Sequence, residues 1–262
     1  MPPIKKIIRD VIDAHHAHHE ERRAERKLCL KERLQCALGD SNVVRRARAL
    51  DGEDKEARRQ TILDAAEHLF AERHELANVA DVARAAGLAK GTVYLYFETK
   101  EELYLALHMR EVEQFFTTLI ARLESSTPMS YDEIEKHARK HILDAPTYLP
   151  LATLCCGFAA DAVPFEANVN FQTRLTNWLL TAGSGLEQHF PKLAAGEGVR
   201  MLKHSYAMMI GLFVLSPERN NDPKVPKLPN LGTYQEETAI ALRRYWAQVA
   251  GIDSAAQSEH TK

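Results

Sequence analysis

Apolar residues recur at helical spacing along most of this chain. Ile62, Ala65, Ala66, Leu69 and Phe70 follow the i, i+3, i+4, i+7, i+8 rule and predict a helix over residues 54–73. A shorter amphipathic run, Val79 to Ala86, starts after Asn78, a good N-cap with Asp81 three residues on for a reciprocal contact. It stops at Gly87, which can close a helix in the left-handed conformation without steric cost. Residues 90–97 are too few to be helical alone, so packing must hold them, and Val93 and Phe97, four apart, are the pair to turn inward. Thr92, Tyr94, Leu95 and Tyr96 then fall on the remaining sides. From the cap Thr99 to about residue 124, Tyr104, His108, Val112, Phe115, Leu119 and Leu123 trace one long stripe, closed off by Ser125-Ser126-Thr127-Pro128.

Further helices are expected over 131–143, 151–163, 165–190, 197–215 and 233–250, with prolines at 146, 164 and 191 as stops. The third of these carries Phe171, Leu175, Trp178, Leu179, Ala182, Leu186 and Phe190 on one side. The fourth has two apolar stripes, Val199, Leu202, Tyr206, Met209, Ile210 and Phe213 on one and Met201, Ser205, Met208, Leu212 and Leu215 on the other. One stripe can face its own core and the second needs another partner. The last should point Ala239, Leu242, Trp246 and Val249 inward. Residues 217–232, with three prolines, read as a stiff loop, and 253–262 as a frayed tail. No segment has strand character and no repeat is evident, so the expected fold class is all-α.

A short helix, a glycine turn and a second short helix bearing hydroxyls and a lysine make a helix-turn-helix, whose second helix enters the DNA major groove. Thr92 and Leu95 are placed for base edges, Leu95 favouring thymine methyls. Lys90, Tyr94, Tyr96 and Lys100 read as phosphate contacts, which set register but carry no sequence information. The N-terminal amides of the helix after Thr99 add to that phosphate site. Arg58 and Arg59 oppose the dipole near the start of their helix, which hints at an outside anion. The expected DNA-contacting set is Arg58, Arg59, Asn78, Lys90, Gly91, Thr92, Tyr94, Leu95, Tyr96 and Lys100.

Four segments in order carry a resemblance: Thr61-Ile62-Leu63-Asp64-Ala65-Ala66-Glu67-His68-Leu69-Phe70, Asp81-Val82-Ala83-Arg84-Ala85-Ala86-Gly87-Leu88, Gly91-Thr92-Val93-Tyr94-Leu95-Tyr96-Phe97, and Lys100-Glu101-Glu102-Leu103. Together they resemble the tetracycline-repressor (TetR) family over residues 55–110. The resemblance implies a three-helix head with a helix-turn-helix, followed by a helical body that binds a small effector and dimerises. It also implies phosphate roles for Tyr94, Tyr96 and Lys100. The chain departs from the family pattern at His74-Glu75, where a glycine is usual, at Asn78 in place of threonine or serine, and at Ala89 in place of a capping serine. The expected organisation is an extension over 1–50, the DNA-binding head over 51–98, the effector and dimer domain over 99–252, and the tail.

Composition changes this picture little. Apolar residues make up 45% and charged residues 27% of the chain, with a net charge of −2, which leaves DNA binding to a local basic face rather than to the whole. Through Phe97 there are 18 Lys and Arg against 16 Asp and Glu, and thereafter 16 against 20, so the asymmetry has the expected sign but is slight. Cys29, Cys36, Cys155 and Cys156 form neither a zinc ladder nor a secreted disulfide framework. No run is long enough to cross a bilayer and no signal peptide opens the chain, so a reducing cytoplasm and no membrane partner are expected.

One recognition helix reads too little DNA to be specific, so a two-fold homodimer on a palindrome is expected, with 197–215 and 233–250 as its interface. The input expected is an apolar effector held by Phe116, Leu154, Cys155, Phe158, Phe171, Trp178, Tyr206 and Met209, releasing a repressor from its operator; no cofactor is expected. The alternatives are a metal response keyed by His15 and His19, four apart in the extension, and a redox response of Cys155-Cys156. A further rival is an all-helical enzyme with a vestigial helix-turn-helix, for which the chain offers no nucleophile–base spacing, phosphate loop or paired acids. His137 and His141 lie four apart but lack the glutamate of a zinc-protease motif.

Overall fold

In the computed structural model, residues 52–159, 161–216 and 232–253 are described. The expected N-terminal extension with His15 and His19, Cys29 and Cys36, the proline loop and most of the tail lie outside them. By Cα proximity the chain divides into residues 1–59 and 60–262. The described part of the first unit is the opening of one helix, where Arg58 is exposed and Arg59 pairs with Glu56 at 3.8 Å.

Among the described residues the structure is helical, without strands: α1 (Gly52–Arg73), α2 (Val79–Ala85), α3 (Lys90–Val93), α4 (Lys100–Leu123), α5 (Tyr131–Ala138, continued by a π segment Arg139–Leu143), α6 (Tyr148–Cys156), α7 (Phe165–His189), α8 (Glu197–Leu215) and α9 (Tyr234–Ala250). No helix among them is long and apolar enough to cross a membrane. Several starts are fixed by caps that the sequence spells out. Thr99 accepts from the Glu102 amide at 3.0 Å, and Ser130 and Thr233 each form a capping box with a glutamate three residues on.

Two apolar cores share the unit. The first joins α1 (Ile62, Leu63, Ala66, Phe70), α2, Val93 and Phe97 to the first turns of α4 (Leu103, Tyr104, Leu107), and it takes in Leu151 from α6. The second runs from Val112 down α4 and gathers α5, α7, α8 and α9 around Trp246. The head core therefore reaches past residue 98 into the first turns of α4, which runs through both cores because its stripe begins with Leu103 and Tyr104 and continues through Val112 to Leu123.

Four sequence expectations shift. The recognition helix, expected over 90–97, is helical to Val93 and continues as tight turns, with Leu95 and Tyr96 donating to Thr92 and Val93 carbonyls at 3.1 and 3.0 Å. This brings Phe97 into the core. The helix expected over 151–163 spans Tyr148–Cys156. Pro150 sits in its first turn, where no intrahelical donor is needed, and Gly157 ends it. On α8 the buried line is Gly198, Met201, Ser205, Met209 and Phe213, drawing on both expected stripes. On α9, Leu242 and Trp246 point inward as expected, but Thr238 and Ala250 take the buried places given to Ala239 and Val249.

Helices α7 and α8 cross backbone to backbone. A Cβ on Gly183 would stand 2.6 Å from Val199 Cγ2, and one on Gly198 would strike the Gly183 carbonyl. Two glycines facing each other permit this approach.

Candidate nucleic-acid interface and ligand cavity

The helix-turn-helix is built from local rules. The Asn78 side chain accepts from the Asp81 amide at 3.0 Å and donates to its carboxylate at 2.9 Å, fixing the start of α2. Asp81 also pairs with Arg84 at 2.9 Å. At the other end Gly87 has φ +67°, the Leu88 amide donates to the Ala83 carbonyl at 2.9 Å, and the Gly87 amide to Arg84 at 3.2 Å. These two bonds close a Schellman turn and set the angle at which α3 leaves. Ala89 gives α3 no side-chain cap, so its place is held from the other side, by Val93 and Phe97, both buried.

What this anchoring leaves outside is unusual. Tyr94 and Leu95 are 44% and 51% exposed, adjacent, and on the outer side of the motif. Lys90 and Gly91 are exposed and Thr92 half-buried. Lys90 Nζ stands 5.8 Å from the Tyr94 ring centroid, near the limit of a cation–π contact. Lys100 is half-buried at the start of α4. Tyr96 departs from its expected phosphate role. Its ring packs on the head core, and its hydroxyl is sealed with no partner among the described residues. The tight turns after Val93 carry it inward, so in this conformation a phosphate cannot reach it. Asn78 is exposed, with its side chain engaged in capping.

A cavity of ≈ 420 Å³ lies in the body, within the usual range for small-ligand sites. Phe116, Cys155, Phe158, Phe171, Tyr206 and Met209 line it as expected from the sequence. Leu154 and Trp178 do not. Leu154 packs on the head core instead, and Trp178 stacks on Phe116 at 5.9 Å with Arg174 over its outer face. Leu105, Val112 and Leu119 from α4, Ile142 and Leu242 complete an apolar wall.

Apart from Tyr206, the polar groups in that wall were not anticipated as lining. His137 is bonded through Nε2 to the Phe115 carbonyl at 3.0 Å, and burial pushes its pKa down. Ser205 accepts from Trp246 Nε1 at 3.0 Å. Burial pushes the phenols of Tyr131, Tyr148 and Tyr206 up. His108 is 3% exposed, and its Nδ1 lies 3.6 Å from Glu111 Oε2, neither atom having a hydrogen-bond partner among the described residues. The only hint in the sequence was a histidine set within the otherwise apolar stripe of α4.

Cys155 bears on the redox alternative. Burial pushes its thiol far up, which keeps it from the reactive thiolate form, while Cys156 is exposed. Among the described residues no group of three or more His, Cys, Asp and Glu is placed to hold a metal.

Helix α6 belongs to both sites. Leu151 is buried in the head core, and Cys155 and Phe158 pack against that core while also lining the cavity.

Comparison with known proteins gives two family matches that meet within α4. Residues 62–107 match the family described as "Bacterial regulatory proteins, tetR family", and 109–251 match "Tetracyclin repressor-like, C-terminal domain". A fatty acid metabolism regulator protein of Bacillus subtilis is 40% identical over 55 residues, 21% of this chain and 28% of that protein. The match thus spans little more than a quarter of that relative's length. Among solved structures, the chain is similar to FadR of Bacillus subtilis in complex with stearoyl-CoA, with a TM-score of 0.49 and 21% identity, covering 74% of this chain and 99% of that one. It is also similar to the fatty acid degradation regulator FadR of Bacillus halodurans, with a TM-score of 0.48 and 17% identity, covering 78% and 97%.

Proposed function

The chain belongs to the tetR family of bacterial regulatory proteins, DNA-binding transcriptional regulators, and from that premise we propose that it is a cytoplasmic repressor released from a palindromic operator by a long, linear, apolar molecule. Tyr94 and Leu95 support the docking surface. Large apolar side chains set side by side in water gain nothing from folding, and a thymine-rich groove would cover them. Lys90 and Lys100 flank them for phosphates, with Thr92 at a base edge. Arg58, Arg59, Asn78 and Gly91 remain in the contacting set, while Tyr96 contributes through its ring. The second copy docks through α8 and α9, where Val214, Leu215 and Ile240 are exposed apolar residues.

The ligand's shape carries the effector reading. The α4 lining residues run from Leu105 to Leu119, which is ~20 Å of helix at 1.5 Å per residue. An apolar wall of that length can lie along an extended hydrocarbon chain, which would meet Leu105, Val112, Phe116 and Leu119 in turn. The name of the Bacillus subtilis relative, a fatty acid metabolism regulator, accords with a chain-like ligand.

Occupation acts through α6. A chain pressing on Cys155 and Phe158 favours a body state in which Leu151 no longer seats the head in its DNA-spaced position. Fluorescence anisotropy on a duplex recovered by selection from random DNA tests this. Decan-1-ol, a short chain that stays soluble, is expected to release the DNA, and a polycyclic of equal volume to leave it bound. Release by the polycyclic alone would overturn the reading.

A further inference from the structure

At the head end of the cavity the wall carries an unsettled polar pair. His108 is almost wholly buried, wedged between the rings of Tyr148 (centroids 5.3 Å apart) and Phe171 (6.1 Å). Its Nδ1 is sealed and faces the sealed Glu111 Oε2 at 3.6 Å, too far for a hydrogen bond. Glu111 is fixed from behind, where its other oxygen accepts from the Thr147 hydroxyl. Among the described residues no lysine or arginine pairs with it. Its charge is felt across the wall, where it contributes to holding the protons on Tyr148, Cys155 and Tyr206.

Leaving buried polar atoms unpaired costs free energy unless something meets them. As a carboxylate Glu111 accepts, and a neutral imidazole facing it carries its hydrogen on Nδ1. Nε2, which has no partner among the described residues, is then an acceptor on a ring that forms part of the cavity wall. Resting on the linear-ligand reading above, we propose that His108, oriented by Glu111, is the polar subsite of the cavity, and that the effector ends there in a hydrogen-bond-donating, non-anionic head group, a hydroxyl or an amine. A carboxylate at that position would face an acceptor nitrogen and a buried carboxylate, while Lys203, which also lines the cavity, is an exposed residue. Discrimination against an anion therefore follows from Coulomb repulsion in a water-poor site.

Three ten-carbon probes, decan-1-ol, decylamine and decanoate, titrated into the full chain and followed by tryptophan emission, test it, since Trp246 lines the cavity. The wild type is expected to bind the alcohol and the amine on the order of tenfold or more tightly than decanoate. Glu111→Gln keeps an acceptor for Thr147 and removes the charge, so decanoate should gain and the gap should narrow. His108→Phe keeps the ring and removes the acceptor, so decan-1-ol and decylamine should bind more weakly while decanoate, still facing the Glu111 carboxylate, gains nothing and the thermal melt stays cooperative. Decanoate binding as tightly as decan-1-ol in the wild type would overturn the subsite and leave the linear slot standing, as would an unchanged preference in both variants. Failure of all three probes where a polycyclic binds would overturn the slot and the subsite together.

Discussion

The thiol of Cys155 lies 3.8 Å from the carbonyl oxygen of Tyr104, and the hydroxyl of the same tyrosine donates to the Ala77 carbonyl at 3.3 Å. One side chain of the cavity wall thus touches the residue that ties α4 to the entry of α2. Tyr104 sits wholly buried between them, its phenol pushed up to about 12 by burial, so it stays a donor at any physiological pH.

If that contact transmits occupancy, Tyr104→Phe should leave DNA affinity in the free protein within a few-fold of wild type and shrink the loss caused by ligand. The quantity to measure is the ratio of DNA affinities with and without decan-1-ol, which is the coupling between sites. Cys155→Leu should do the opposite, pressing α6 away from α4 and weakening DNA binding on the order of tenfold without ligand. Wild-type ratios in both variants would place the coupling elsewhere.

Lys100 and Leu95 should separate into two kinds of contact. Lys100→Ala is expected to weaken binding to every duplex and to lower the slope of log affinity against log salt by about one unit. Leu95→Ala should keep the slope and change the preference among operators, as measured by competition between duplexes.

His74 is the one non-glycine residue among those described with positive φ, at 52°. It follows α1, its amide donating to the Phe70 carbonyl at 2.7 Å, at a place where a glycine would be unstrained. His74→Gly should therefore stabilise the protein by roughly 1 kcal/mol in chemical denaturation. The loss of the edge contact between the His74 and Phe70 rings offsets part of this.

Gly198→Ala should be among the most damaging single-methyl changes available. The added carbon has no room against the Gly183 carbonyl, so α7 and α8 must separate. A loss of about 3 kcal/mol is expected, seen as a fall in Tm of roughly 10 °C. Gly91→Ala, where a Cβ meets nothing within 4 Å, is the control and should leave Tm nearly unchanged.

The head was legible because its signals are local. Asn78, Gly87, Val93, Phe97 and Thr99 each perform a task that the residue type and its near neighbours specify. The α4 stripe was legible for the same reason, since Tyr104 to Leu123 repeats one period. The body was readable as helices but not as faces. On α8 both stripes are apolar, so the sequence could not say that Gly198, Met201 and Ser205 would share the buried line, because Gly183 on another helix decides it. Trp178 and Phe116 were equal candidates for the cavity until their stacking set one behind the other. Tyr96 was misplaced because the chain tightens after Val93, a change that periodicity does not encode. His108 stood in plain view, and only the approach of Glu111, Tyr148 and Phe171 from one turn on and two other helices gives it a role.

The claim on which the rest depends is that the surface at Lys90 to Leu95 reads DNA, in two copies. Selection of bound duplexes from a random pool, with wild type and Leu95→Ala run in parallel, measures this directly. The account predicts an inverted repeat with half-sites about one helical turn apart and, for the variant, the same spacing with altered bases inside each half. Recovery of no enriched sequence, or of an identical motif for both proteins, would contradict it.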